Sequence, residues 1–245
     1  MKILITNDDG FLSESTTIML EHLSKYYDCL AITPSSNMSG SSNSLTLKKP
    51  LLISKKSNKF YHINGSPADC IHISRLEFFN FKPDLVISGI NNGFNLGTDI
   101  FYSGTVAGAR EGLLHSIPAL SLSADYNVES SNYYEISEFI NKFILKNQQI
   151  FIDMLKRKYF LNFNFPTKLN FNNIKITNIG TRELSMSPVE TINPKGIRHY
   201  WIGDSGAHIK TNDHDDDFGS ITKGFISVSP ITINNVFDLS KIAVK

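Results

Sequence analysis

Two adjacent carboxylates, Asp8 and Asp9, follow the apolar β-type run Lys2-Ile3-Leu4-Ile5, with Thr6 and Asn7 between and Gly10 behind them. Neighbouring negative charges repel unless a cation or water screens them. In open α/β sheets, ligands bind outside the carboxyl ends of the strands. A divalent cation would be useful there. The alternative is a solvated turn, since Asn-Asp-Asp-Gly is also good turn chemistry. Two further stretches carry polar groups of the same hard type. Met38 to Ser44 contains Ser39-Gly40-Ser41-Ser42-Asn43-Ser44, and Gly89 to Thr105 contains Asn91, Asn92, Asn95, several glycines and a closing Ser103-Gly104-Thr105. Oxygen ligands without thiolate or imidazole suit Mg²⁺, Mn²⁺ or Ca²⁺. Backbone N–H groups at a helix start suit a phosphate. Gly104 would let the backbone approach it, and Ser103 and Thr105 would add hydroxyl donors; the alternative for these three is an ordinary N-cap. Metal plus phosphate points to phosphoryl chemistry. A cation held by Asp8 and Asp9 would polarise a phosphate oxygen and acidify a water. Surrounding donors would stabilise the developing charge, and one carboxylate could serve as general base.

The elements that must position these loops read as a parallel α/β fold. Strand 1 precedes a helix capped by Ser13 or Ser15 and running to about Tyr27, with Met19, Leu20, Leu23 and Tyr27 at helical spacing. Cys29 to Thr33 is strand 2. Leu45 to Ile53 and Phe60 to Ile63 are expected as short strands. Ser66 then caps a helix with Pro67 at its first position. Leu85 to Ser88 is a central strand ending at Gly89. Ser103-Gly104-Thr105 opens a helix to Leu114 that is rich in small residues. Ile117 to Leu122 is the next strand, and one long amphipathic helix is expected over Tyr134 to Arg157. After Pro166 the pattern turns β-rich, with strands expected at Asn172 to Asn178, Tyr200 to Ile202 and Gly224 to Ser229, and turns at Gly180, Pro188, Pro194, Gly196 and Gly203.

Composition narrows the function class. The chain has 245 residues, with 24 basic and 23 acidic side chains. Such balance gives no reason to expect a nucleic-acid polymer or a membrane surface as partner. Cys29 and Cys70 form no Cys-x-x-Cys pair, so zinc and dithiol redox chemistry are not expected, and a reducing, cytoplasmic setting is. The start of the chain lacks the pattern of a signal peptide, and no apolar run approaches ~18 residues.

The motifs also carry a resemblance. Asn7-Asp8-Asp9-Gly10, Ser39 to Ser44, Gly65-Ser66-Pro67-Ala68-Asp69-Cys70, the run Ser88 to Gly97 and Tyr102-Ser103-Gly104-Thr105-Val106 resemble, in order, the motif set of the SurE family of metal-dependent 5′-nucleotidases. The match runs from residue 1 to about 125, with weaker echoes at Leu161 to Pro166, Tyr200-Trp201 and Gly224 to Pro230. The resemblance implies one divalent metal ion per subunit, Mg²⁺ or Mn²⁺, held by Asp8, Asp9, Ser39 and Asn91. It implies a phosphate and substrate site at Gly40, Asn43, Asn95, Ser103, Gly104 and Thr105, with Asp8 and Asp9 also catalytic. The implied reaction converts nucleoside 5′-monophosphates to nucleoside and phosphate, with 3′-nucleotidase or exopolyphosphatase side activity. The implied fold is a Rossmann-like three-layer α/β core with a mainly parallel sheet. Residues 1–160 would form that core and 161–245 a β-rich extension swapped between subunits of a homodimer or homotetramer, all in one domain. Two departures stand out: Leu12-Ser13-Glu14-Ser15 replaces the family's usual Ala-Pro-Gly, and Ser66 replaces a common threonine.

Competing chemistry finds less support in the residues. A phosphoacceptor receiver module needs an Asp at the end of a later strand, and Gly89-Ile90-Asn91 offers none. No Gly-x-Gly-x-x-Gly follows strand 1, and no Walker-type loop is present. Asp213-His214-Asp215-Asp216-Asp217 reads as an acidic hairpin tip, solvated or facing a neighbour, in preference to a metal site. The seven histidines lie outside the three loops, so no histidine nucleophile or general acid is expected; His115 closes a helix and would complement its dipole.

Overall fold

In the structure, a computed structural model, residues 1–182, 188–202 and 216–233 are described. The chain runs β1 (Lys2–Thr6), α1 (Glu14–Leu23), β2 (Asp28–Pro34), β3 (Ile53–Ser57), β4 (Phe60–Ile63), α2 (Pro67–Ile73), β5 (Leu85–Asn92), α3 (Gly104–Leu114) and β6 (Ala119–Ala124). It continues with α4 (Ser130–Lys146), α5 (Gln148–Arg157), β7 (Tyr159–Phe165), β8 (Ile174–Ile176), β9 (Val189–Ile192), β10 (Arg198–Trp201), α6 (Asp217–Thr222) and β11 (Ile226–Thr232). Nine strands form one sheet in the order β3-β4-β2-β1-β5-β6-β7-β11-β8. The six strands from β4 to β7 run parallel, whereas β3 and β11 pair antiparallel to β4 and β7. The expected mainly parallel α/β architecture is what the chain forms. β9 and β10 make a separate antiparallel hairpin.

Strand periodicity builds the layers. Ile3 and Ile5 of β1 and Leu85 and Ile87 of β5 face one side, against Met19 and Leu23 of α1 and Ile136 and Ile140 of α4. The alternate residues Leu4, Leu30, Ile32 and Val86 face the other side, against Ile71 of α2 and Val106 and Leu113 of α3. Helices therefore cover both faces, as a buried parallel sheet requires. β1 has β2 on one side and β5 on the other, so the chain reverses its direction of growth between β1 and β5. That reversal opens a crevice at the carboxyl ends of these two strands.

Several local expectations are corrected. α1 stops at Leu23 instead of reaching Tyr27, and Ser13 caps it without a side-chain bond. Residues 45–52 are not a strand; the strand begins at Ile53 and its residues are exposed. Leu45, Leu47 and Leu52 stay exposed there, and Leu51 alone of the run's leucines packs against the core. β5 does not end at Ser88. Gly89 takes φ +127°, where a Cβ would lie 2.2 Å from the Leu122 carbonyl, and a bulge between Ser88 and Asn91 lets the strand continue to Asn92. Only glycine tolerates that conformation, so the residue that reads as a stop is what carries the strand forward. The expected long helix is two. Asn147 leaves helical geometry, and its side-chain amide donates to the Phe143 carbonyl at 2.8 Å. Such local side-chain bonding competes with helix continuation. In the β-rich part β8, β10 and β11 appear near the expected places, and Gly203 lies outside the described residues. Among the described residues no helix is long and apolar enough to cross a membrane.

Candidate active site

Three loops meet at the crevice, and named hydrogen bonds hold them together. Asn7 folds the first loop: its amide nitrogen donates to the Gly10 carbonyl at 3.0 Å and to Thr16 Oγ1 at 2.8 Å, and its Oδ1 accepts from Gly10 N–H. The Asp8 carbonyl accepts the Met38 N–H at 2.7 Å, which joins the first loop to the second. Ser42 joins the second to the third, donating its N–H to the Tyr102 carbonyl and its hydroxyl to the Phe101 carbonyl. Ser15 Oγ donates to the Ile90 carbonyl at 2.6 Å, tying α1 to the end of β5. At the base of the second loop, Ser66 caps α2 in a reciprocal box with Asp69, whose Oδ1 also accepts the Thr46 N–H.

The carboxylates sit where these ties converge. Asp8 is 3 % exposed and lies against the start of α3. Burial pushes its carboxyl above the ordinary range; the Thr105 hydroxyl and the Thr105 and Gly104 N–H groups oppose that rise. Thr105 Oγ1 donates to Asp8 Oδ1. A Cβ on Gly104 would lie 2.7 Å from Asp8 Cβ, so the helix reaches the carboxylate because glycine stands there. Asp9 is half-buried. Burial first, and the charge of Asp8 second, push it up to about 6 against one opposing bond from the Asn92 N–H. It lines a cleft of about 290 Å³ with Ser13, Glu14, Ser15, Asn92 and Tyr133.

The remaining residues singled out in the sequence lie on the second and third loops. Asn91 directs its amide nitrogen to the Gly93 carbonyl at 2.8 Å, so its Oδ1 is left without a partner among the described residues. Ser39 is exposed on the second loop, its N–H bonded to Asn37 Oδ1, beside Gly40 at φ +74°. Ser103 Oγ accepts from the Val106 N–H, which is the N-cap, while its hydroxyl proton stays available. Asn95 lies beneath the third loop. Its side chain donates to Ser123 Oγ, its N–H to Asn164 Oδ1, and its carbonyl accepts from Asn162 and Asn164. Asn43 donates to Glu111 Oε2 at 2.8 Å, and its own Oδ1 is buried without a partner.

Three residues were missed in the sequence. Ser41 Oγ is buried, unpartnered, and 3.0 Å from where a Gly104 Cβ would be; its place in the Ser-rich loop was the available signal. Glu111 is buried on α3 and holds Asn43. Asp217 is fully buried and accepts the N–H groups of Gly97 at 2.7 Å, Gly180 at 2.9 Å and Phe218 at 3.0 Å. It anchors the third loop from a position 120 residues away. This corrects the reading of a solvated acidic tip. Asp216 caps α6 by accepting the Gly219 N–H, and both carboxylates are buried because they meet backbone donors; 213–215 lie outside the described residues. His115 closes α3, as expected. Burial, His72 and Arg75 hold its imidazole below the usual range, against the opposing pull of Glu111.

The donor set fits a divalent cation. Two carboxylates raised by burial, Asp9 also by the charge of Asp8, together with an unpartnered amide oxygen, lack positive charge in the described structure, and all offer hard oxygen. The buried, unpartnered Ser41 hydroxyl beside the α3 N-terminus fits an anion next to it.

The survival protein SurE family model matches residues 3–186. This chain belongs to the SurE family. The 5′-nucleotidase SurE of Neisseria gonorrhoeae is 38% identical over 236 residues, covering 96% of this chain and 93% of that protein. The 5′-nucleotidase SurE of Campylobacter lari is 39% identical over 243 residues, covering 95% and 93%. The crystal structure of the SurE protein from Aquifex aeolicus superposes with a TM-score of 0.79 at 32% identity, covering 98% of this chain and 97% of that one. The SurE likeness thus extends through the β-rich part, well beyond residue 125.

Proposed function

We propose that this SurE protein is a 5′-nucleotidase that hydrolyses nucleoside 5′-monophosphates to nucleoside and phosphate. The observation that carries the reading is the Asp8–Asp9 pair at the sheet reversal, with Asp8 buried against the N-terminus of α3 and Asp9 half-buried beside it. Asp8, Asp9, Ser39 and Asn91 would hold one Mg²⁺ or Mn²⁺. When bound, such an ion neutralises phosphate charge and acidifies a water. The chain's own residues do the rest. Thr105 and Gly104 orient Asp8, and the N-terminal end of α3 as a whole would place its positive dipole near a bound phosphate. Ser103 and Ser41 would offer hydroxyls, and Gly40 would let the second loop come close, while Asn43 and Asn95 hold the loops in place through Glu111 and through Ser123, Asn162 and Asn164. Asp9, with its carboxyl near 6 before any ion binds, is the group suited to take a proton from water when it is not a ligand. No phosphoenzyme is required.

Phosphate release from a nucleoside monophosphate panel, with Mg²⁺, Mn²⁺ or EDTA, tests the reading. Turnover should vanish with EDTA and in Asp8→Asn. Metal-independent turnover would overturn it. The panel extends to 3′-nucleotides and polyphosphate, the side activities we include in the proposal.

We infer that the chain acts in the cytoplasm as a single domain, with residues 1–160 as the site-bearing core and 161–245 as an oligomerisation extension of a homodimer or homotetramer. The β9–β10 hairpin supports this assembly. It stands apart from the main sheet with Tyr200, Trp201 and Ile202 exposed, and a lone two-stranded ribbon is marginal in water.

A further inference from the structure

His72 on α2, Glu111 on α3 and His115 at the end of α3 converge on one point. His72 Nε2 lies 2.9 Å from Glu111 Oε1, His115 Nε2 lies 3.3 Å from the same oxygen, and the two Nε2 atoms are 3.5 Å apart. We propose that these three side chains form a second cation site, selective for a borderline transition ion such as Zn²⁺ and separate from the hard-oxygen site at Asp8 and Asp9.

Geometry carries the proposal. Ligand atoms at ~2.0–2.1 Å from a tetrahedral ion are ~3.3 Å apart, and the three separations bracket that value. Without an ion, Glu111 Oε1 can accept from both imidazoles. A cation bound there takes the place of the Nε2 protons. Two imidazole nitrogens and a carboxylate oxygen, with the fourth position left to water, match the donor preference of zinc and not of magnesium. Access is open because the His72 side chain is 43% exposed, while Glu111 at 6% is fixed in the protein.

The surroundings supply a second shell and one competitor. The other carboxylate oxygen, Glu111 Oε2, accepts from Asn43 at 2.8 Å, which sets the carboxylate's orientation. Arg75 Nη1 lies 2.7 Å from His115 Nδ1 and donates to it. Binding through Nε2 moves the imidazole proton to Nδ1, so the exposed Arg75 side chain swings to solvent and water accepts that proton's hydrogen bond.

The inference does not rest on the nucleotidase reading, and its test reads binding and not turnover. In an Asp8→Asn, Asp9→Asn background, which removes the carboxylate site, Zn²⁺ titration by calorimetry should give one tight equivalent that Mg²⁺ does not displace. Outer-shell changes cost metal sites ~10–100-fold in affinity, so loss of a ligand in His72→Asn or His115→Asn should weaken Zn²⁺ more than ~10-fold, with circular dichroism unchanged. Absence of a tight equivalent in the background protein, or equal affinity in the histidine variants, would overturn the site. Co²⁺ titration of the unsubstituted protein gives an independent reading should a variant fold poorly. An intense visible absorption of four-coordinate cobalt supports the site, and only the pale spectrum of six-coordinate cobalt overturns it.

Discussion

Asp9→Asn should stabilise the protein when divalent ions are removed, and the gain should depend on pH. Asp9 in the fold has its carboxyl pushed from 3.8 to about 6, by burial and by the charge of Asp8. A carboxyl raised on folding binds more protons in the native state than in the unfolded one, so stability falls as pH rises through this window. The loss begins near pH 4 and is complete above pH 6. At ~1.36 kcal/mol per pH unit, the full penalty is about 3 kcal/mol. Asparagine keeps the shape and an acceptor for the Asn92 N–H but carries no charge. In EDTA, urea unfolding should therefore show Asp9→Asn ahead of the unsubstituted protein by about 3 kcal/mol at pH 8 and by about 1 kcal/mol at pH 4.5. Saturating Mn²⁺ at pH 8 should reverse the order, because an ion that binds only the native carboxylate pair stabilises the unsubstituted protein by mass action. A variant no more stable than the parent at pH 8 in EDTA would refute the electrostatic account of the pair.

Other substitutions separate positioning from chemistry. Ser41→Ala removes a buried, unpartnered hydroxyl, so unfolding stability should hold or rise, while inhibition by free phosphate should weaken ~10-fold, as one charge-assisted bond implies. Gly104→Ala places a methyl 2.7 Å from Asp8 Cβ; overpacking should cost ~1–3 kcal/mol and phosphatase turnover should be lost. Asp217→Ala strands three backbone N–H groups and should cost about 3 kcal/mol, with faster hydrogen exchange at Gly97 as the specific readout.

Much of this arrangement was legible in the sequence because it is local. The Asp-Asp-Gly loop, the capped starts of α2 and α3 and the alternating apolar strands each follow from neighbours within a few residues, and the sheet rule then brings the loop ends together. What escaped was set by distant partners. Gly89 reads as a terminator until the Leu122 carbonyl beside it shows why glycine must occupy a continuing strand. Asp217 reads as part of a solvated acidic run until the Gly97 and Gly180 amides are found against it. Asn95 reads as a loop amide facing ligand, yet its bonds run down to Ser123, Asn162 and Asn164. Glu111 sits among small residues on α3 and gains meaning only beside Asn43 and the two histidines. Ser39 and Asn91 as candidate ligands came from the family resemblance, since their loops alone do not distinguish them from their neighbours.

The most direct test of the central claim is phosphate release from a nucleoside 5′-monophosphate by purified protein. Unsubstituted protein and Asp8→Asn are compared, each stripped with EDTA and then resupplied with Mn²⁺ or Mg²⁺. The expected result is turnover only in the unsubstituted protein and only with metal, with both proteins equally folded by circular dichroism. Turnover by Asp8→Asn comparable to the parent, or turnover that survives EDTA, would contradict the assignment of the Asp8–Asp9 carboxylate pair as the metal-holding centre of a nucleotidase.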